Sequence, residues 1–577
     1  RDAQFNFDAS GNKNNWTPNN INSNASSETT YDIMNDVPTL TDEDTANFAT
    51  LNPLHQRGSN TFSSANLNFT LSAGINTMTN TIAVNSGKHY CEISVATVAG
   101  PHLVIGLVQD TISASSMIAS GTGGVGYYSY DGTKFIDATQ SSYGASYTNG
   151  DVIGIALDLD SSTIAFYKNN TSQGTFSIPS GKSWYVALQN GTGTGTQSGY
   201  INFGQRPFKY TPPTGYKKLN TYNLPDSTIV DGSQYMNPVI YTGTGVNDRD
   251  VTVGFAPDFT WIKRRDSSAD HMLYDTIRGV GYNVFSNRDV IERYQDTGGY
   301  LSAFTSDGFQ VHAGITSSNS VNGSGNTYVA WNWRGSDSSA VSNTDGTITS
   351  TVSANTTSGF SVVTYTGNGT AGATVGHGLG SAPALMIGKN RTYAVNWRVY
   401  HQSLGATKYL NFNLTNSATT SSLPWNNTAP NSSVFTLGTS DNVNRNGDNI
   451  VMYCFAEVEG FNKFGSYTGN GSLDGPFVYT GFRPAFVMVK RTDVASDWFM
   501  LDNKRPAFNV IGAGNGGQLP ANLAYAESTL STYAIADLLS NGFKVRHDMT
   551  YGYWNASGGN YIYMAFAENP FKQSLAR

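Results

Sequence analysis

A five-residue phrase recurs three times in this chain, and it constrains the architecture more than any other feature. Tyr241-Thr242-Gly243-Thr244-Gly245 returns as Tyr365-Thr366-Gly367-Asn368-Gly369 and as Tyr467-Thr468-Gly469-Asn470-Gly471. Each copy is followed 16 to 18 residues later by a proline, Pro257, Pro383 or Pro484, and six residues after each proline stands Lys263, Lys389 or Lys490. Eight further on are His271, Trp397 and Trp498. Each copy closes with an apolar run, Tyr328 to Trp333, Ile450 to Phe455 and Tyr561 to Phe566. The period exceeds that of a solenoid and suits tandem β-domains. Alternation puts Val329, Trp331 and Trp333 on one face, as it does Val451, Tyr453 and Phe455, and Ile562, Met564 and Phe566, and these faces are expected to be buried.

At 577 residues the chain exceeds one core, since single cores stop growing at roughly 250 to 300 residues. Charged residues are 13% of the chain, against about 25% in an ordinary domain; polarity comes from Asn, Ser and Thr, and with 61 glycines these residues suit turns and strand edges. The expected class is all-β. The divisions expected are an extended arm at 1–44, a β-sandwich at 45–215, repeats at 216–335, 359–460 and 461–577, and a Ser/Thr-rich linker at 336–358. The chain opens at Arg1 without Met, which reads as a trimmed or fragmentary product.

Within 45–215, Gly150 to Asp160, a Ser161-Ser162 turn and Thr163 to Asn170 form a β-hairpin pattern. With Ser86 to Glu92, Ile105 to Leu107, Gly126 to Gly132 and Ile201 to Gly204, this stretch resembles the SPRY domain. That resemblance implies a concanavalin-like sandwich that binds partners through loops at one end and is not enzymatic. The whole chain, from Tyr31 to Thr41 through the sandwich to the repeats and Phe566-Ala567-Glu568-Asn569-Pro570-Phe571, resembles the tail-fibre-type structural proteins of marine bacteriophages. It implies a homotrimeric virion component, in contact with other virion proteins and with a host cell-surface glycan or protein. A capsid-decorating part without receptor contact and a host-polysaccharide-degrading enzyme are the rival readings.

The net charge of -7 and the lack of a basic stretch argue against nucleic-acid binding. No apolar run reaches the length of about 18 residues that a membrane span needs, so no membrane insertion is expected. Cys91 and Cys454 lie in apolar runs and read as buried thiols. Gly181-Lys182-Ser183 lacks the glycine spacing of a phosphate-binding loop, and the eight histidines form no ligand cluster, so neither cofactor nor metal is expected. Asp158 and Asp160 share a strand face and read as solvated rather than calcium-binding. Glu457 and Glu568 stand at matching places in two repeats, but Gly335 occupies that place in the first, so they read as structural and no catalytic residues are assigned. The three lysines read as strand-end side chains whose stems cover the core while the heads reach water or a carboxylate.

Two aromatic clusters are the candidate ligand-binding residues: Tyr127, Tyr128 and Tyr130 beside Asp131, and Tyr551, Tyr553 and Trp554 beside Asn555. Exposed rings stack on sugar C–H faces while neighbouring amides and carboxylates pair with hydroxyls. In the sandwich, the expected surface combines Asp110 to Gly124, the Tyr127 to Asp131 turn and Asn190 to Gly199.

Overall fold

The computed structural model describes residues 42–100, 102–110, 118, 122–191, 195–316, 319–505, 510–512, 517–527, 534–546 and 552–572. All but the last three residues of the expected arm lie outside them. The described chain is almost wholly β, and it divides after residue 226 into two compact units. No helix among the described residues is long and apolar enough to cross a membrane.

The first unit stacks a seven-stranded sheet on an eight-stranded one. Strand Val152–Asp158 runs antiparallel to Thr163–Lys168 through the expected turn, with Ser162 at φ 51°, and its other edge pairs with Lys88–Val98. All seven residues of Val152–Asp158 are buried, as a central strand covered on both faces requires. Asp158 meets Lys88 at 2.9 Å and Asp160 accepts from the Gly87 N–H at 2.7 Å, so both carboxylates have protein partners. The unit extends past the expected boundary at 215. Strand Lys217–Lys218 adds in parallel to Lys88–Val98, and Asn220 bridges to Phe48.

In the second unit each repeat builds the same main sheet. Its first strand pairs with its last, the last with the proline strand, and that with the next strand in sequence. The order is Met236–Thr242, Thr327–Trp333, Phe259–Arg264, Met272–Asp275 in the first repeat. Phe360–Thr366, Asn449–Ala456, Pro383–Asn390 and Arg398–His401 follow it in the second. Asn462–Thr468, Asn560–Pro570, Phe482–Arg491 and Trp498–Asp502 follow it in the third. Registers Phe259↔Trp333, Leu385↔Phe455 and Phe486↔Phe566 make the three lysines equivalent. The expected linker is a correction. Val341–Asn343 and Ser350–Asn355 extend the second repeat's sheet, because Ile348, Ser350 and Val352 alternate inward and are buried.

The repeats close into a ring around one core. Trp333, Phe455 and Phe566, the equivalent residues of the three closing strands, meet with ring centroids 5.7 to 6.2 Å apart. The opposite faces of those strands are buried too: Tyr328 and Ala330 pack in a core within the first repeat, and Ile450, Met452 and Cys454 in one within the second. The two thiols are buried and free. The tandem domains expected from the period are therefore not separate cores strung in a row, since residues of all three repeats share the hub.

The recurring phrase is a clamp. Tyr241, Tyr365 and Tyr467 donate to the carbonyls of Val321, Val443 and Trp554 at 2.7 to 2.9 Å. The next residues, Asn322, Asn444 and Asn555, accept from the N–H of Thr244, Asn368 and Asn470 at 2.8 to 3.0 Å. Their amides donate back to Val246, Thr370 and Ser472. A Cβ on Gly243, Gly367 or Gly469 would lie 2.2 to 2.4 Å from a carbonyl oxygen, which fixes glycine there. Asn444→Ala strips a fully buried side chain of these bonds and should cost about 1–3 kcal/mol, read as a lower denaturant midpoint.

The lysines correct the expectation of a solvated head. All three are fully buried, and each ammonium donates to a backbone carbonyl of another repeat: Lys263 to Ala524 at 3.3 Å, Lys389 to Asp289 at 3.2 Å and Lys490 to Thr415 at 3.3 Å. The residues eight further on repeat the pattern, His271 to Pro520, Trp397 to Phe285 and Trp498 to Asn411. The first repeat thus reaches the third, the second the first, and the third the second. Two junctions also carry buried ion networks. Asp275 and Arg278 pair with each other and, through Glu292, with Arg391, while Tyr453 bonds both Asp275 and Arg278. Asp502, Arg505, Glu527, Arg265 and Trp331 repeat this arrangement. At the third junction the equivalent places hold His401, Leu404, Ala418, Thr492 and Met564.

Candidate recognition surface

Strand pairing decides which loops of the first unit meet. Val104 pairs with Tyr128 and Leu103 with Asn190, so the 129–133 turn and the loop after Asn190 leave the sheet at the same end. The turn is held by reciprocal bonds between Leu103 and Ser129 and by Asp131, which accepts from the Thr133 N–H at 3.0 Å and its hydroxyl at 2.6 Å. Gln140 donates to the other Asp131 oxygen at 3.2 Å, so this carboxylate shapes the turn. His102 ties the two loops together. Its carbonyl accepts from Gly191, and its Nδ1 lies 2.6 Å from the Tyr128 hydroxyl.

On this end three rings form a rim. His102 stacks with Tyr128 at 6.1 Å and with Tyr130 at 6.3 Å, and the two tyrosines are 6.1 Å apart. Tyr130 is 61% exposed and Tyr128 partly so. Burial, then the Asp131 charge, raise the Tyr128 pKa, so its phenol stays neutral and can exchange hydrogen bonds with a ligand. His102 escaped sequence reasoning, since only the Leu103↔Asn190 and Val104↔Tyr128 registers bring it beside the turn.

Other candidates fall elsewhere. Tyr127 is wholly buried against Tyr143, Tyr147 and Phe166 and donates to the Ala145 carbonyl, because neighbouring strand residues point to opposite faces. The Asp110 to Gly124 stretch is anchored at the opposite end of these strands, and Ile118 folds back as far as Gly126 and Gln189. Residues 111–117, 119–121 and 192–194 lie outside the described residues, as does Tyr551. In the last repeat Trp554 is buried against Phe499, Tyr553 packs on the same ring at 5.0 Å, and Asn555 is a clamp residue. Of the described residues of that cluster, Trp554 and Asn555 are buried and build the core. Aligning Trp554-Asn555 with Val321-Asn322 and Val443-Asn444 is the signal that would have found this.

Glu457 accepts from the Phe464 N–H at 2.9 Å and Glu568 pairs with Arg483 at 2.9 Å. Among the described residues no group of three or more His, Cys, Asp or Glu is placed to hold a metal ion.

Comparison with known proteins matches residues 231–570 to a domain of unknown function, DUF7483, and residues 88–206 to the SPRY domain. The ATP-dependent RNA helicase DDX1 of Xenopus laevis is 30% identical over 151 residues, 26% of this chain and 19% of that protein. The E3 ubiquitin-protein ligase RKP of Arabidopsis thaliana is 33% identical over 99 residues, 16% of this chain and 7% of that protein. The chain thus spans less than a fifth of the length of these curated relatives. The crystal structure of the SPRY domain of human HERC1 is similar over 26% of this chain and 96% of its own, with 17% identity and a TM-score of 0.24.

Proposed function

The chain belongs to the family of DUF7483, a domain of unknown function, and from that membership and the SPRY domain ahead of it we propose a non-catalytic virion appendage of the bacteriophage tail-fibre type. A SPRY domain is a protein-interaction module. In this reading the His102–Tyr128–Tyr130 rim contacts a host cell-surface protein or glycan, and the ring of repeats is the rigid scaffold that carries it. The observation that carries the reading is the exposure of Tyr130, which stacks with His102 and packs at a tilt beside Tyr128 on loops that the sandwich core holds in place. The charge-poor, Asn- and Gly-rich composition and the order of the parts support a virion location. Weak single contacts suffice there, since several copies on one particle raise avidity by roughly 10²–10⁴.

Particles carrying Tyr128→Ala and Tyr130→Ala should adsorb to host cells at least tenfold less, with an unchanged unfolding midpoint. Unchanged adsorption by the folded double variant would overturn the rim's role. The proposed homotrimer is tested by light scattering. Assembly would use exposed edge strands, of which the sandwich offers Thr139–Ser141 and Thr171–Ser177 and the second repeat Val341–Asn343.

A further inference from the structure

Five of the sixteen large apolar side chains exposed among the described residues fall between Val280 and Ile315 of the first repeat. At their centre is a two-stranded hairpin, Tyr282–Asn283 paired with Arg293–Tyr294. Tyr282 and Tyr294 are 38% and 56% exposed and pack side by side with centroids 4.7 Å apart. The Gly281 N–H bonds the Leu301 carbonyl, which brings the hairpin against strand Gly299–Thr305. There, beside Leu301, Tyr300 stacks on His312 at 4.7 Å and 16°. Polar groups stand beside this row of rings. Asp248 lies 3.6 Å from His312 with 60% of its side chain exposed, and Arg293, 44% exposed, pairs with Asp296 at 3.1 Å.

The fold does not need this pair of rings. Registers Leu273↔Val284 and Val399↔Leu410 align the hairpin with Lys408–Tyr409 and Thr419–Thr420 of the second repeat. Lys408 and Thr420 there occupy the places of Tyr282 and Tyr294, and Gly517 takes the place of Tyr282 in the third repeat. Two exposed tyrosines at positions where the same architecture accepts Lys, Thr and Gly call for a role outside packing.

We propose that the row Tyr282, Tyr294, Tyr300 and His312 is a glycan-binding site, which takes the C–H face of a pyranose ring on the tyrosine pair while Asp248 and Arg293 bond its hydroxyls. Rings flanked by a carboxylate and a guanidinium match a ligand with apolar faces and a hydroxyl rim. A peptide adding as a strand would need a longer edge than the two residues of Arg293–Tyr294. The site lies within the DUF7483 region and shares no residue with the His102–Tyr128–Tyr130 rim.

The test is retention of the full chain on an array of bacterial lipopolysaccharide and capsular oligosaccharides, with a peptide array alongside. At least one glycan should be retained. Its signal should fall at least tenfold both in Tyr282→Ala/Tyr294→Ala and in Tyr282→Lys/Tyr294→Thr, which installs the second repeat's residues. Protection of both tyrosines from nitration by that glycan, read by mass spectrometry, makes the same decision on the unaltered chain. Retention of no glycan, retention on peptides alone, or full retention by folded variants would overturn the site. Loss of glycan signal only in Tyr128→Ala/Tyr130→Ala would overturn it too, while leaving the SPRY rim standing.

Discussion

Arg278→Leu should destabilise the ring by about 3–5 kcal/mol, the cost of leaving buried charges without their partner. Arg278 and Asp275 have no solvent-exposed side-chain surface, and the guanidinium also bonds Glu292, the Leu273 carbonyl and the Tyr453 hydroxyl. Burial alone would lower the Arg278 pKa, but Asp275, Tyr453 and Glu292 outweigh it and raise it, so the group stays charged. Its loss strands Asp275 in the core. The third junction supplies the control, because there the same architecture holds without these charges. Changing the set together, as Asp275→His, Arg278→Leu, Glu292→Ala, Arg391→Thr and Tyr453→Met, should cost much less than the single change. Denaturant midpoints of the two variants decide this. If the fivefold variant is as unstable as the sum of its single changes, the network is not a replaceable unit.

The second large effect is on pH. Burial, ahead of any neighbouring charge, pushes Lys263 from the ordinary 10.5 down to about 7, and Lys389 and Lys490 down to about 8. Asp270 and Asp266 oppose this at Lys263 and Arg264 and Arg505 assist it. Asp289 opposes it at Lys389, and at Lys490 Asp497 and Asp493 oppose it while Arg491 assists. Burial also lowers Lys544, against the Asp474 charge. Between the folded and unfolded values the unfolded chain holds more protons, so unfolding takes up protons and becomes harder as pH rises. The ring should therefore gain stability from about pH 7 to pH 10, by up to roughly 1.4 kcal/mol per pH unit for each lysine. Guanidinium midpoints at pH 7 and 9.5 measure it, and Lys389→Met should flatten the slope. A midpoint that falls over this range would mean the ammonium groups are stabilised by their carbonyls more than burial penalises them.

The repeat, its prolines and its lysines were all legible in the sequence, because period-two burial and fixed spacing leave a direct record. Ring closure was not. A lysine in sequence does not say whose carbonyl it meets, and Lys263 meets a residue 261 positions away. Trp554 misled because an aromatic beside an Asn reads as a sugar platform, whereas here the Asn closes a backbone clamp and draws the ring inward with it. Tyr128 and Tyr130 were legible as a turn. Tyr127 followed the alternation rule that the closing strands had already displayed, and the inward facing of every second residue should have excluded it.

Because the three repeats are one covalent chain, closing their ring is a unimolecular step that dilution cannot reverse. Stoichiometry is fixed at one copy of each repeat. Each copy is then free to diverge: one junction has shed its ion network while two keep it, and a single repeat carries the tyrosine pair. A ring of three identical subunits would have to present every such change three times over. This one can give each third of its circumference a separate task while the hub of Trp333, Phe455 and Phe566 holds the geometry.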